Sequence, residues 1–208
     1  MKLAELAGYH RNPSIIKERH DAFVREERPF SSTALDFASK ELARATQDRD
    51  RRNGFSASAL GACLRQQQFT WLGLKELDQS AQRVGVLLNG TFVGLRLQMI
   101  GLSEGYLKRA EVPLPKNDYK LTGTMDGELV DNMIVEYKSI NDRGYRYLQH
   151  ENAPKPDHVF QAGTYLFAAN LDKAIIFYEN KNTQDTKEFQ VERTAPLETE
   201  ILTRSLML

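Results

Sequence analysis

Residues 123–138, GTMDGELVDNMIVEYK, alternate apolar and polar side chains on both sides of an Asp131-Asn132 turn, the pattern of two antiparallel strands. Asp126 stands in a glycine-flanked turn, and ten residues later a Glu-x-Lys lies inside a strand. Side chains alternate faces along an extended chain, so Glu136 and Lys138 point one way while Val135 and Tyr137 point the other. Two carboxylates and one ammonium then share a pocket. Charges on one face of an otherwise apolar strand are costly unless they pair or bind a metal, which marks the segment as a candidate site.

Outward from this hairpin, the two-residue period reaches back through a turn near residues 116–118 to AEVPLP, beginning at Ala110. The result is an antiparallel meander. Downstream, residues 141–155 form a polar, aromatic loop or short helix, and Pro156-Asp157 opens an amphipathic helix, DHVFQAGTYLFAANL. KAIIFYE and KEFQVE are strands on either side of the NKNTQD turn, and PLETEILTRSLML starts a last helix. Upstream the pattern is helical. SSTALDFASKELARATQ carries a Ser/Thr cap within a charged stretch that runs to about residue 55, and residues 55–74, FSASALGACLRQQQFTWLGL, form a second helix. Residues 80–102 give a strongly apolar helix, expected to be the core spine, in which Gly90 and Gly94 let another backbone pack closely.

Helices first and strands later describe an α+β chain with one domain over residues 1–208, mainly helical to 105 and sheet-forming from 106. With 208 residues and 41% hydrophobic content, the chain has the size and composition of a globular domain with a sizeable core. No run of about 18 apolar residues is expected to span a membrane, and the polar N-terminus does not read as a signal peptide, so the expected location is the cytoplasm. A single cysteine, Cys63, permits no intrachain disulfide. The 28 basic and 28 acidic residues cancel, so any nucleic-acid-binding surface must be local. Arg49, Arg51 and Arg52 form one candidate patch, or an ordinary solvated face. Arg143, Arg146 and Lys155 form another.

Phosphodiester cleavage needs a metal to neutralise developing charge and acidify a water, and hard Mg²⁺ or Mn²⁺ prefers carboxylate oxygens. Asp126 and Glu136 meet that need, and Lys138 can orient water or stabilise the pentavalent phosphate. GTMDG, VEYKS and the Gln161 and Tyr165 of HVFQAGTY together resemble the PD-(D/E)xK nuclease superfamily, in its RecB-like branch of CRISPR-associated and phage exonucleases. The resemblance spans about residues 55–180. It implies a restriction-endonuclease-like mixed central sheet flanked by helices. It also implies Mg²⁺ or Mn²⁺ on Asp126 and Glu136, with the main-chain carbonyl of Tyr137 as a further ligand. Lys138, Gln161 and Tyr165 would complete the catalytic set.

His158, Gln161 and Tyr165 recur at i, i+3 and i+7, which sets all three on one helix face. FSASALGACLRQQQF is similar to the branch's entry helix, with Ser56, Ser58, Leu60, Cys63 and Arg65 at its marked positions. Ser58 and His158 would contact DNA, and Arg65 would contact a phosphate or form a salt bridge. Arg143, Arg146, Tyr145 and Tyr147 would grip DNA, or RGYRYL is a turn packing its tyrosines on the sheet. Cys63 lacks the companions that ligate an iron-sulfur cluster in some relatives, so no cluster forms and the residue is expected to be small and buried. The branch's Gly-x-x-x-His has Gly94 where the metal-binding His belongs. Glu111 is either a supporting ligand or a strand-edge charge.

The implied activity is a metal-dependent DNA exonuclease acting on single strands or duplex ends in replication, recombination or repair. It would be virus-encoded on the strength of its compact size, and a recombination or replication partner protein goes with that role. The alternative is a nuclease-fold DNA-binding or adaptor subunit with little catalysis. RNA cleavage is a third reading, differing in substrate only, and nothing in the residues excludes it.

Overall fold

The hairpin forms as β5 (Thr124–Leu129) and β6 (Ile134–Ile140), antiparallel, with Gly127 opposite Val135 and Glu128 opposite Ile134. Asn132 in the turn takes a φ of 57°, the left-handed conformation that asparagine tolerates better than most residues. A computed structural model describes residues 8–10, 14–45, 54–74 and 80–208. Arg49, Arg51 and Arg52 lie outside the described residues.

β3 (Leu107–Pro113) pairs antiparallel with β5, while β7 (Lys173–Asn180) lies parallel to β6. A parallel step requires a crossover, which α5 (Asp142–Glu151) and α6 (Pro156–Ala169) supply. β8 (Thr186–Glu192) returns antiparallel to β7, and β1 (Gly8–His10) pairs antiparallel with β8. The order β1-β8-β7-β6-β5-β3 makes the central sheet mixed, as expected.

Helices cover both faces. On one, α6 and α7 (Ala195–Leu206) bury Phe160, Leu166, Leu197 and Ile201 with Ile134, Ile176 and Tyr178 of the sheet. On the other, α4 (Ala81–Glu104) contributes Leu97, and Ile16 beside α1 (Lys17–Arg25) joins it over Val135, Tyr137, Ile175 and Phe177. The alternation along β6 is therefore real, with Glu136 and Lys138 on the α6 side. The Glu188 carboxylate of β8 accepts the main-chain amides of Ile15, Ile16 and Lys17 at the start of α1, from 171 to 173 residues away in sequence. α2 (Ser32–Ala45) begins where the Ser31 hydroxyl accepts the Ala34 amide at 3.2 Å, the serine cap its sequence announces.

Three expectations need correction. β1 is a strand within a stretch read as helical; three residues are too few to show a period, and its partner β8 lies far along the chain. Residues 55–74 are not one helix. β2 (Phe55–Ser56) pairs in parallel with β4 (Leu121–Thr122), a 3-10 turn covers Ala57–Ala59, and α3 spans only Leu64–Trp71. The Phe55 amide is held by the Lys120 carbonyl at 2.9 Å, a tertiary bond that overrides local helix preference.

The third concerns α4, whose C-terminal half is core while Val86, Leu87, Leu88 and Phe92 of its N-terminal half are more than half exposed. By length and composition α4 is apolar enough to cross a bilayer, contrary to the expectation that no stretch is. Gly90 and Gly94 receive no packed backbone: among the described residues nothing lies within 4 Å of a Cβ built on Gly94. The close approach in this helix is at Gly101, where Leu107 Cβ and Tyr106 Cε2 would stand 2.9 Å from a Cβ.

In β5 a Cβ on Gly127 would overlap the Leu107 side chain and lie 3.1 Å from the Arg109 carbonyl oxygen. Gly127→Ala is expected to destabilise the fold by about 1–3 kcal/mol through overpacking. An unchanged urea midpoint would contradict this.

Candidate active site

The ladder between β5 and β6 ends at Gly127 and Val135. One step further the register sets Asp126 opposite Glu136. There Asp126 Oδ2, in place of a main-chain carbonyl, accepts the Tyr137 amide at 2.7 Å. The strands fork at this point, and a cleft of about 940 Å³ is lined by Thr124 and Asp126 from one strand and Glu136, Tyr137 and Lys138 from the other. Asp126 thus lies inside β5 and not in a turn.

Helix α6 supplies one wall. Lys138 Nζ donates to Glu136 Oε1 at 2.7 Å and to Gln161 Oε1 at 2.9 Å. Gln161 Nε2 donates to Glu136 Oε1 at 2.6 Å and to the Tyr165 hydroxyl at 3.0 Å. With its carbonyl facing the lysine and its amino group facing the carboxylate, Gln161 has one workable orientation. Tyr165 in turn packs on Gly123, whose Cβ position lies 3.1 Å from the ring.

Helix α4 supplies the opposite wall. Gln98, buried, donates through Nε2 to Glu111 Oε1 and to the Asp126 carbonyl oxygen, both at 2.9 Å. Glu111 lines the same cleft and has a φ of 49° within β3, a conformation costing a non-glycine residue about 1–3 kcal/mol. Asp126, Glu136 and Glu111 therefore face one cleft, which Glu41 of α2 also lines. Among the described residues, however, no three His, Cys, Asp or Glu side chains converge tightly enough to hold an ion by themselves.

Burial is the main force on these charges. It drives the Asp126 carboxyl well above the usual range, and the neighbouring Glu136 charge adds to that. Glu136 is also raised by burial, against the opposing pull of the Lys138 ammonium. Burial works against charge on Lys138, but Glu136 and Asp126 outweigh it and lift its pKa, so the ammonium persists. Glu136 Oε2 is buried without a hydrogen-bond partner among the described residues. A buried carboxylate oxygen left unpaired is what a cation would satisfy.

Of the other expected site residues, Ser58 lines the cleft, its hydroxyl 2.8 Å from that of Ser56. Arg65 is exposed on α3 and is not among the cleft-lining residues described. Cys63 is exposed and faces the cleft, where a buried residue was expected, because it precedes α3 as the residue before its first turn. His158 meets the Tyr178 hydroxyl at 2.9 Å, and burial, with Lys138 nearby, pushes its pKa down to about 4. A neutral imidazole held there does not supply a cation for phosphate.

Arg143 and Arg146 are exposed on α5, away from the described cleft lining. Tyr145 is buried and donates its hydroxyl to the Thr186 carbonyl at 3.0 Å, so it is not free to stack on a base. Tyr147, its expected companion, is exposed. Sequence reasoning missed Gln67, a buried α3 residue lining the cleft. Its position within Gln66-Gln67-Gln68 gave no sign of which amide turns inward.

No protein-family model matches the sequence, and no curated protein matches it. Solved structures share the fold. An alkaline exonuclease, LHK-Exo, from Laribacter hongkongensis aligns with a TM-score of 0.58 and 20% identity, covering 76% of this chain and 86% of its own. LHK-Exo in complex with dAMP aligns at 0.57 and 19% identity, over 74% and 85%. The structure of SSO0001 aligns at 0.59 and 18% identity, over 85% and 86%. The mixed α/β fold with its mixed central sheet is common to all of them.

Proposed function

We propose that this chain is a Mg²⁺- or Mn²⁺-dependent deoxyribonuclease of the PD-(D/E)xK type, removing nucleotides from DNA ends in replication, recombination or repair. One observation carries the reading: Lys138 Nζ is clamped between the buried Glu136 and Gln161 beside a second, partly buried carboxylate, Asp126, at a fork in the sheet that opens into a cleft. The fold shared with an alkaline exonuclease supports it.

The donor set fits a hard divalent ion. Asp126 and Glu136 would hold it, with the Tyr137 carbonyl and the nearby Glu111 as further oxygen donors. Such an ion, when bound, supplies Lewis-acid stabilisation of the phosphate and a more acidic water. The protein's own groups do the rest. Lys138 stays protonated and donates to the attacking water or to a phosphate oxygen as negative charge accumulates. Gln161 holds Lys138 and Glu136 in a fixed relation, which lowers the reorganisation needed during reaction. Burial, with the Glu136 charge adding to it, keeps Tyr165 protonated, and its hydroxyl accepts from Gln161, leaving the phenolic proton for a substrate oxygen.

The test is degradation of end-labelled linear DNA by purified protein with Mn²⁺. Absence of cleavage on single-stranded and duplex substrates alike would sink the reading. The adaptor alternative is favoured by Gly94, where the resembling branch has a histidine ligand, and it predicts no saturable Mn²⁺ site. Because the space at Gly94 is open and faces the cleft, Gly94→His is expected to fit and to tighten Mn²⁺ binding about tenfold, as added metal ligands and their supports typically do. Equal Mn²⁺ affinity in titration calorimetry would count against the ion lying in this fork.

A further inference from the structure

The cleft that holds Lys138 is also lined by Gly94 and Gly90 of α4 and by a wall of Ser58, Ala59 and α3 residues. In that wall Gln67 is 7% exposed, and neither its Nε2 nor its Oε1 has a hydrogen-bond partner among the described residues. Burying an amide with donor and acceptor both unsatisfied is unfavourable. A leucine would avoid the cost, and α3 already has one at Leu64 packed against the core. The unsatisfied amide therefore has the character of a group kept for a ligand.

An amide presents a donor and an acceptor side by side, and its complement is an edge with an acceptor beside a donor. Nucleobases carry such edges, and glutamine pairs with them bidentately. Every base has such a pair on its Watson–Crick edge, which duplex pairing occupies. Gly90 and Gly94 line the same cleft without a side chain. A Cβ at Gly90 would stand 3.4 Å from the Ser139 hydroxyl, but among the described residues nothing lies within 4 Å of a Cβ at Gly94, leaving open space there where a base could lie.

We propose that Gln67 is the base-contacting residue of a subsite for an unpaired nucleotide, on the strand whose phosphodiester lies at Lys138. The proposal rests on the nuclease reading for that strand's placement. It sets the substrate at this point as single-stranded, whether the strand arrives so or frays from a duplex end.

The test is binding of a labelled single-stranded oligonucleotide in EDTA, which removes cleavage from the measurement, by wild type, Gln67→Leu and Gln67→Glu. Gln67→Leu is expected to weaken binding about tenfold and to leave binding of an abasic strand of equal length unchanged. It is also expected to raise the melting temperature, since it removes an unsatisfied buried amide. Gln67→Glu should weaken binding to bases while lowering the melting temperature, because it buries a charge.

Equal binding by wild type and Gln67→Leu overturns the subsite. So does a Gln67→Leu protein that loses both stability and abasic-strand binding, the signature of a structural glutamine, and so does a wild type that binds no unpaired strand. Cleavage with Mn²⁺ is scored separately. Base-dependent binding without cleavage leaves the subsite standing and removes the proposed activity, whereas cleavage that Gln67→Leu leaves untouched, with equal binding, does the reverse.

Discussion

Lys138→Met is expected to reduce DNA cleavage about 10²–10³-fold, the typical cost of removing one positioned donor at a developing negative charge. Methionine keeps most of the aliphatic stem, so packing along β6 is largely retained. What disappears is the ammonium shared between Glu136 Oε1 and Gln161 Oε1. Glu136 keeps its bond from Gln161 Nε2 but loses the charge that opposes its desolvation, so its carboxyl shifts further upward. Mn²⁺ should still bind at saturating metal, since the carboxylates of Asp126 and Glu136 remain. Cleavage measured there isolates the role of Lys138 in the reaction, and near-wild-type turnover under those conditions would exclude that role.

Asp126→Asn is expected to abolish metal-dependent cleavage and, without metal, to stabilise the protein. Asparagine can still accept the Tyr137 amide through its side-chain oxygen, so the fork in the sheet is preserved. The sign of the stability effect follows from linkage. Burial first, and Glu136 second, raise the folded-state pKa of Asp126 above its unfolded value. A carboxyl raised in this way favours folding below its unfolded pKa, and that contribution is lost as pH rises through the folded-state value. Wild type without metal should lose stability from about pH 4 upward, and the difference from Asp126→Asn should grow over the same range. Added Mn²⁺ should raise the wild-type melting temperature and leave that of the variant unchanged. A variant less stable than wild type at neutral pH, or one still stabilised by Mn²⁺, would contradict this account.

The hairpin and the two-residue alternation of β6 were legible because strand periodicity is a local property: Glu136 and Lys138 had to share a face once the strand was recognised. Gln161 and Tyr165 were legible as one face of α6 for the same reason, with the helical period. Their contacts with Lys138 and Glu136 depend on the crossover that lays α6 over β6, which no local pattern encodes. Tyr145 shows the limit plainly. Within RGYRYL it is indistinguishable from Tyr147, yet one tyrosine is buried against Thr186 and the other is exposed. The division of α4 was hidden too, since its apolar residues continue past the point where the sheet stops covering them.

The Glu188 carboxylate that receives the amides ahead of α1 sets an order on biosynthesis. On the ribosome Lys138 emerges well before Glu188, by a few seconds at ordinary elongation rates of about 5–20 residues per second. The fork holding Asp126, Glu136 and Lys138 can thus begin to form on the nascent chain while the first helix still awaits its acceptor. A translational pause placed between these two points would lengthen the interval in which β5 and β6 exist without α1 docked beside them.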